Sequence, residues 1–416
     1  MQHKFGALDL IRAGLQDLDR ARTLFDELHN DGIDDDRMRL ILATLEKACD
    51  PDIALSNLVD IIKVMQSQGK DFTNIIADEN SFVRLITVLG VSDEMGKLMR
   101  FRPELVEAAA NDACESHLYN HEKRRAHVLK SVGADPNDHT MPTASLPLAE
   151  AATALRKTYR KQLAAIMAQD ATANDPIEIQ PRISTELSDL ADAALEGALA
   201  IARHEVDGSE HVRFAIIGMG KLGAQELNYV SDVDLIYVVE PADMDTNGMA
   251  LSRIGTKMAT TLQRVCQSVI MGVAEPTLWQ IDGGLRPEGK DGPLVRRLES
   301  HEAYYEQWAE NWEFQALLKA RPVAGDTDLG QAYMDMTRPF VWTASKRDNF
   351  VYDCQQMRKR VEDLIPNPLK DREIKLGRGG LRDVEFTVQM LQLVHGRSDE
   401  ALRTSSTLES LQALAE

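Results

Sequence analysis

Two aspartates, Asp232 and Asp234, stand two residues apart in Ser231-Asp232-Val233-Asp234, at the mouth of the apolar run Leu235–Val239. Side chains two apart on a strand share a face. The pair therefore aims at one point while Val233 and Leu235 enter the core. Carboxylates held that close repel each other unless a cation lies between them, and oxygen ligands of this kind suit Mg²⁺ or Mn²⁺. Upstream, Phe214–Ile217 reads as a strand running into glycines at Gly218, Gly220 and Gly223. Glycine lets a backbone come near a phosphate with no side chain in the way. A glycine turn followed by a strand with paired aspartates is the arrangement that nucleotidyl transfer needs. A third carboxylate, Asp282, ends the short apolar segment Thr277–Ile281. From a neighbouring strand it would complete a site for two cations, which can stabilise both the attacking and the leaving oxygen of in-line transfer. Arg286 follows on the next turn, where a guanidinium can offset phosphate charge.

Blander readings compete. Gly218, Gly220 and Gly223 also match G-x-G-x-x-G, the dinucleotide-binding fingerprint. That fold wants one acidic residue about 20 positions on, at the end of a second strand. Here a pair arrives 14 and 16 residues after Gly218, at a strand's start. Asp-x-Asp alone is often structural, and Asp282-Gly283 alone reads as an ordinary turn; each gains meaning from the other. A second glycine loop, Ile374–Phe386 (IKLGRGGLRDVEF), opens a helix whose apolar residues include Val384, Val388 and Leu391. Its amides, helix dipole, Arg378 and Arg382 can hold an anion. A plain turn with solvated arginines is the alternative.

The elements that position these residues sit in a chain of 416 residues, long enough for two to three domains. Lys and Arg number 47 against 66 Asp and Glu, a net charge of −19. Nucleic-acid enzymes usually carry a basic footprint, so the acidic balance argues against nucleic acid as substrate. No apolar segment follows Lys4 as in a signal peptide, and no run of 18 apolar residues occurs. The expectation is a cytoplasmic protein without membrane contact. Cys49, Cys114, Cys266 and Cys354 lack metal or redox spacing and read as buried, reduced thiols.

Region 1–133 is helical by periodicity. Leu8, Ile11, Leu15, Leu18, Phe25 and Leu28 mark one face, and further faces span Met38–Ala48, Pro51–Gln66 and Ser81–Leu89, the last closed by Gly90. His117 and His121 are spaced i, i+4, which could hold a metal, but no third ligand is near and two surface histidines is the better reading. Region 134–210 holds a linker, Val132–Pro147, then helices Pro147–Gln169 and Ile183–Arg203 around a turn-rich Asp170–Pro181. Region 211–325 is the core, with an amphipathic helix through Ile254, Met258, Leu262, Val265 and Val269 and a helical stretch Ser300–Arg321 under the site. Region 326–416 is a C-terminal helical region that stops soon after Thr404-Ser405-Ser406 start a new helix, as if truncated.

Four segments carry a resemblance: GMGKLGAQELNYVSDVDLIYV, DGGLRPEGKDGPLV, WEFQALLKARPVAGD and KLGRGGLRDVEFTVQMLQLVHG. Spanning roughly Phe214 to Arg397, they closely resemble the glutamine synthetase adenylyltransferase family, bifunctional enzymes that attach AMP to a tyrosine of glutamine synthetase and remove it again. Ala224-Gln225 departs from many relatives, which have Gly and a basic or polar residue there. The resemblance implies an α+β, mainly helical fold with a nucleotidyltransferase-like mixed sheet, and the family's N-terminal, deadenylylating half. It implies phosphorolysis of adenylyl-tyrosine to ADP, with ATP-driven adenylylation or a non-catalytic module sensing PII or glutamine as alternatives. Asp232, Asp234 and Asp282 would be the catalytic metal ligands for Mg²⁺ or Mn²⁺. Gly218, Gly220 and Ser231 would lie near the nucleotide phosphates, with Lys221 and Arg286 as helpers and Arg378 and Arg382 as weaker phosphate contacts. Glutamine synthetase, PII, ADP or ATP, inorganic phosphate and glutamine are the implied partners. A nucleotidyltransferase acting on RNA or on a small molecule such as an aminoglycoside is opposed by the charge in the first case and by the length of the resemblance in both.

Overall fold

Aspartates start the N-terminal helices. Asp17 accepts from Arg20 N at 3.0 Å, Asp34 from Arg37 N at 2.9 Å, Asp50 from Ile53 N at 3.0 Å and Asp78 from Ser81 N at 2.9 Å. Each meets a helix-start amide that would otherwise lack a partner, worth about 1 kcal/mol. Part of the acidic surplus is thus capping chemistry. In the computed structural model, described for residues 5–416 apart from 71, 73–74, 76–77, 111–119, 244–246 and 371, these caps open α2 (Leu18–Asn30), α3 (Asp35–Leu45), α4 (Pro51–Ser67) and α5 (Glu79–Val91), after α1 (Ala7–Arg12). α6 (Asp93–Phe101) and α7 (Glu104–Ala110) follow. Leu55, Leu58, Ile61 and Ile62 of α4 are fully buried in this helical core.

Three expectations here need correction. α1 ends at Arg12, so its face is not continued to Leu15; Leu10 is buried, while Leu8 and Ile11 are 70% and 56% exposed. Gly90 does not end its helix: a Cβ there would lie 2.8 Å from Ala48 Cβ, so its smallness serves close helix packing. Cys49 is exposed, whereas Cys266 and Cys354 are buried thiols. His117 and Cys114 lie outside the described residues; His121 stands at the start of α8 (His121–Ser131).

The linker before Leu148 is irregular as expected, and α9 (Leu148–Ala171) follows. The next helix, α10 (Pro176–Glu205), begins well before Ile183. Asp175 Oδ1 accepts from Ile177 N and Glu178 N, and Pro176 at the first position forfeits no hydrogen bond. Pro181 is carried inside the helix. The chain divides into two compact units, 1–123 with 157–186 and 124–156 with 187–416, where the sequence reading draws four consecutive regions.

The second unit contains the sheet. β1 (Val212–Gly218) leads through the one-turn helix α11 (Gly220–Gly223) to β2 (Val233–Pro241), and the two strands pair antiparallel, Gly218 opposite Leu235. After β2, α12 (Gly248–Gln267) crosses over to β3 (Ile281–Asp282), and β4 (Val295–Arg296) follows; both run parallel to β2. Ile254, Met258, Leu262 and Val265 form the buried stripe of α12, but Val269 lies past its end and is 90% exposed. The segment after β4 is not one helix: α13 (Leu298–Gln307) stops, and α14 (Asn311–Leu317) restarts where Glu313 Oε1 accepts from Glu310 N at 2.9 Å. β5 (Arg321–Gly325) then adds an edge strand antiparallel to β1, giving the order β3-β2-β1-β5 with β4 also on β2. Pro322 suits an edge, and the register shifts beside it. The mainly helical α+β fold with a small mixed sheet is therefore as expected; β4 and β5 are additions. α15 (Thr327–Thr343), α16 (Phe350–Asp363), α17 (Leu381–His395) and α18 (Thr407–Ala415) complete the unit. Among the described residues no helix is long and apolar enough to cross a membrane.

Candidate active site

Tight backbone geometry places the aspartates. Met219 N donates to Asp234 O at 2.8 Å, drawing the turn after β1 against the start of β2. Gly220 takes φ +55°, and a Cβ there would sit 2.7 Å from Asp234 Oδ2. Arg321, at the start of β5, pins the turn from outside. It donates to Leu222 O at 3.1 Å and Gly223 O at 3.3 Å while pairing with Asp192 at 2.6 and 3.1 Å. Gly218 has a packing role instead, because a Cβ there would meet Val323 Cγ1 at 2.6 Å.

β2 buries Val233 and Leu235 and leaves Asp234 half-buried, while Asp232 stands just before the strand, not on it as the spacing suggests, and is exposed. In the parallel β2–β3 pair Asp282 is the register partner of Asp234. Burial, then the charges of Asp282 and Asp232, push the Asp234 carboxyl up to about 6, against a pull from Arg382 and Lys375. Asp282 Oδ1 accepts from Gly284 N at 2.7 Å. Among the described residues no three Asp, Glu, His or Cys side chains are gathered into a ready metal cluster. The three aspartates share one electrostatic field but not one preformed coordination shell. The donor chemistry suits a hard cation, since Asp234 is a carboxylate whose charge is disfavoured by burial and by two like neighbours.

Asp232, Asp234, Gly220, Lys221 and Ser231 line one cavity of about 960 Å³. Ser231 Oγ donates to Asp232 O at 3.1 Å. Lys221 is held below the usual ammonium range, first by burial and then by Lys375. Lys319, Lys375 and Arg382 also line the cavity, so a protein of net charge −19 gathers four cationic side chains here. Lys319 Nζ is anchored on Glu226 Oε2 at 2.9 Å and Thr407 Oγ1 at 2.8 Å. Arg382, in the first turn of α17, pairs with Glu385 at 2.8 Å.

The other candidates fall elsewhere. Arg286 holds its own loop, donating to Gly283 O at 2.7 Å, Lys290 O at 3.1 Å and Gly292 O at 3.2 Å, and does not line the cavity. The Arg378 side chain is 87% exposed and bound to Glu362 at 2.8 Å. In the glycine loop, Gly379 N is taken by Asp383 Oδ2 at 2.6 Å, so its amides are not all open to an anion. Sequence reasoning missed Lys319 and Lys375, together with Trp312, Gln315 and Gln389, which line the same cavity. Spacing could have found most of them. Trp312, Gln315, Ala316 and Lys319 recur at i, i+3, i+4, i+7, as do Arg382, Glu385, Phe386 and Gln389.

Comparison with known proteins extends this picture. Residues 82–336 match the model of a family described as glutamate-ammonia ligase adenylyltransferase, and residues 355–416 match that of GlnD PII-uridylyltransferase. The chain is 76% identical over 413 residues to a Bifidobacterium longum (strain DJO10A) protein named bifunctional glutamine synthetase adenylyltransferase/adenylyl-removing enzyme, covering 99% of this chain and 38% of that one. Relatives of the same name in Cutibacterium acnes and Streptomyces avermitilis are 44% and 41% identical, with 98% of this chain covered in each case. The chain spans about two-fifths of the length of these curated relatives (38–41%).

Proposed function

Because the chain belongs to the glutamate-ammonia ligase adenylyltransferase family, we propose that its cavity removes AMP from adenylyl-tyrosine on glutamine synthetase by phosphorolysis. The observation that carries this reading is the cavity itself, which joins Asp232 and Asp234 to Lys221, Lys319, Lys375 and Arg382. Aspartates beside a clustered set of cations suit a reaction in which two phosphate groups must approach each other.

An oxygen of inorganic phosphate attacks the adenylyl phosphorus. A new P–O bond forms as the bond to the tyrosine oxygen breaks, giving ADP and a tyrosinate that takes up a proton. The nucleophile is already anionic at neutral pH, so no strong base is required. The leaving tyrosinate has a reference pKa of about 10, and charge developing on it needs a nearby cation. Asp232, Asp234 and Asp282 would hold Mg²⁺ or Mn²⁺, which when bound would offset charge on the phosphoryl and leaving oxygens. Arg382 and Lys375 hold the incoming phosphate, Lys221 the nucleotide phosphates beside Gly220, and Ser231 the edge of Asp232. The likeness of residues 355–416 to PII-uridylyltransferase supports the PII protein as a regulator.

The test gives the 416-residue chain adenylylated glutamine synthetase, Mg²⁺ and phosphate in one reaction, and unmodified synthetase with labelled ATP in another. ADP forms in the first, and little label joins protein in the second. Label transfer without ADP formation would reverse the assigned direction. No reaction in either would leave a binding module.

A further inference from the structure

Gln315 carries an unmet hydrogen-bonding group in the wall of the cavity. Its side chain belongs to a residue only 3% exposed, and its Nε2 donates to Gln389 Oε1 at 2.8 Å. Its Oε1 has no partner among the described residues. Gln389 is also buried, and both glutamines line the same cavity as Asp232, Asp234 and Lys221. A buried acceptor without a donor destabilises a fold, and such groups in native structures call for an explanation. Gln389 takes the Gln315 amide nitrogen, which leaves the buried carbonyl oxygen unpaired among the described residues. Trp312, one helical turn before Gln315, presents an aromatic ring to the same cavity, a surface on which any base can stack. The cationic and acidic groups account for phosphates and a metal; none of them reads a base.

We propose that Gln315 selects the nucleobase: its Oε1 accepts a hydrogen bond from the exocyclic amino group of adenine, while Gln389 positions the amide. The inference rests on the nucleotide reading above and adds the group that chooses among nucleotides. Hypoxanthine and guanine carry a carbonyl oxygen where adenine carries its amino group. Against Gln315 Oε1 they would set acceptor facing acceptor, with both oxygens cut off from water. A site built to pair with a polar substituent rejects analogues that lack it, because its own buried group is then left unmatched. Gln315 Oε1 is such a group.

The experiment titrates ADP and IDP, each with Mg²⁺, into the full 416-residue chain by calorimetry. The two ligands share phosphates and sugar and differ at the base. ADP should bind about tenfold more tightly, the scale set by one buried hydrogen bond. Gln315→Met keeps the volume and removes the acceptor, so the two ligands should then bind within about twofold of each other, mainly through weaker ADP binding. Removing both amides in the Gln315→Met/Gln389→Met double variant avoids stranding Gln389 and should give the same loss, with circular dichroism reporting the fold. Gln389→Glu retains an acceptor for Gln315 Nε2 and should keep the preference. Equal binding of ADP and IDP by the wild-type chain, or a preference that survives in both Met variants, overturns the assignment. Absence of binding by either ligand to the wild-type chain would instead remove the nucleotide reading, and this inference with it.

Discussion

Replacing Gly220 with alanine separates backbone strain from damage to the aspartate site. Gly220 sits at φ +55°, a left-handed conformation that costs an L-residue roughly 1–2 kcal/mol. Part of that is offset because alanine narrows the unfolded ensemble, by about 0.4–1 kcal/mol. A net stability loss of about 1 kcal/mol follows. Gly32 provides the control, with φ +87° and nothing within 4 Å of an added Cβ, so Gly32→Ala carries strain without collision. At Gly220 the new Cβ would lie 2.7 Å from Asp234 Oδ2, where ordinary contact begins at 3.4 Å. The carboxylate or the turn must therefore move by 3.4 − 2.7, about 0.7 Å. Misplacement on that scale costs on the order of a hundredfold in rate, equivalent to about 2.7 kcal/mol of transition-state stabilisation. Release of ADP from adenylylated glutamine synthetase gives the rate, and urea unfolding of both variants gives the stability. The expected pattern is similar stability loss in both, with the rate falling only in Gly220→Ala. If Gly220→Ala kept a rate within about threefold of Gly32→Ala, Asp234 would not need its present position.

The remaining predictions address single side chains. Asp234→Asn should cut turnover below about a tenth, a loss above ~1.4 kcal/mol, while circular dichroism shows an intact fold; more residual activity would remove Asp234 as an essential ligand. Arg382→Ala should raise the phosphate concentration for half-maximal rate roughly tenfold, whereas Arg378→Ala, on an outward-facing side chain, should leave it unchanged; equal effects would restore the two arginines to one role. His301 is buried and held down to about 3, chiefly by desolvation, so the unfolded chain binds more protons between about pH 6.5 and 3 and stability falls as pH drops through that window. His301→Phe should flatten this dependence by a few kcal/mol, seen as a smaller change in urea midpoint between pH 7 and pH 4; an unchanged slope would show that His301 is not protonated on acid unfolding.

What the sequence revealed was the chemistry that local spacing encodes. Period-two alternation through Val233, Asp234 and Leu235 located Asp234 on a strand, with Asp232 just before its start, and the β2–β3 register brings Asp282 beside Asp234. Nothing local shows that β3 is two residues long, or that Arg321–Gly325 leaves a helical stretch to become an edge strand; β1 determines that by offering a free edge. Arginine roles were the least legible. Composition says that Arg286, Arg378 and Arg382 are cations near glycines, but carbonyls that close a loop claim the first, Glu362 claims the second, and only the third lines the cavity. The far wall is made by residues spaced for one helix face, a pattern that also describes an ordinary core stripe. Its functional reading needs the tertiary fold to bring Gln315 and Gln389 together across 74 residues.

The central claim is that phosphate oxygen, not water, attacks the adenylyl phosphorus in this cavity. It is tested most directly by supplying adenylylated glutamine synthetase with inorganic phosphate enriched in heavy oxygen and recording the mass of the nucleotide released. Phosphorolysis keeps every oxygen of the attacking phosphate, one of them as the new bridge, so ADP should emerge carrying the full label. Release of unlabelled AMP would mean that water is the nucleophile and would contradict the account.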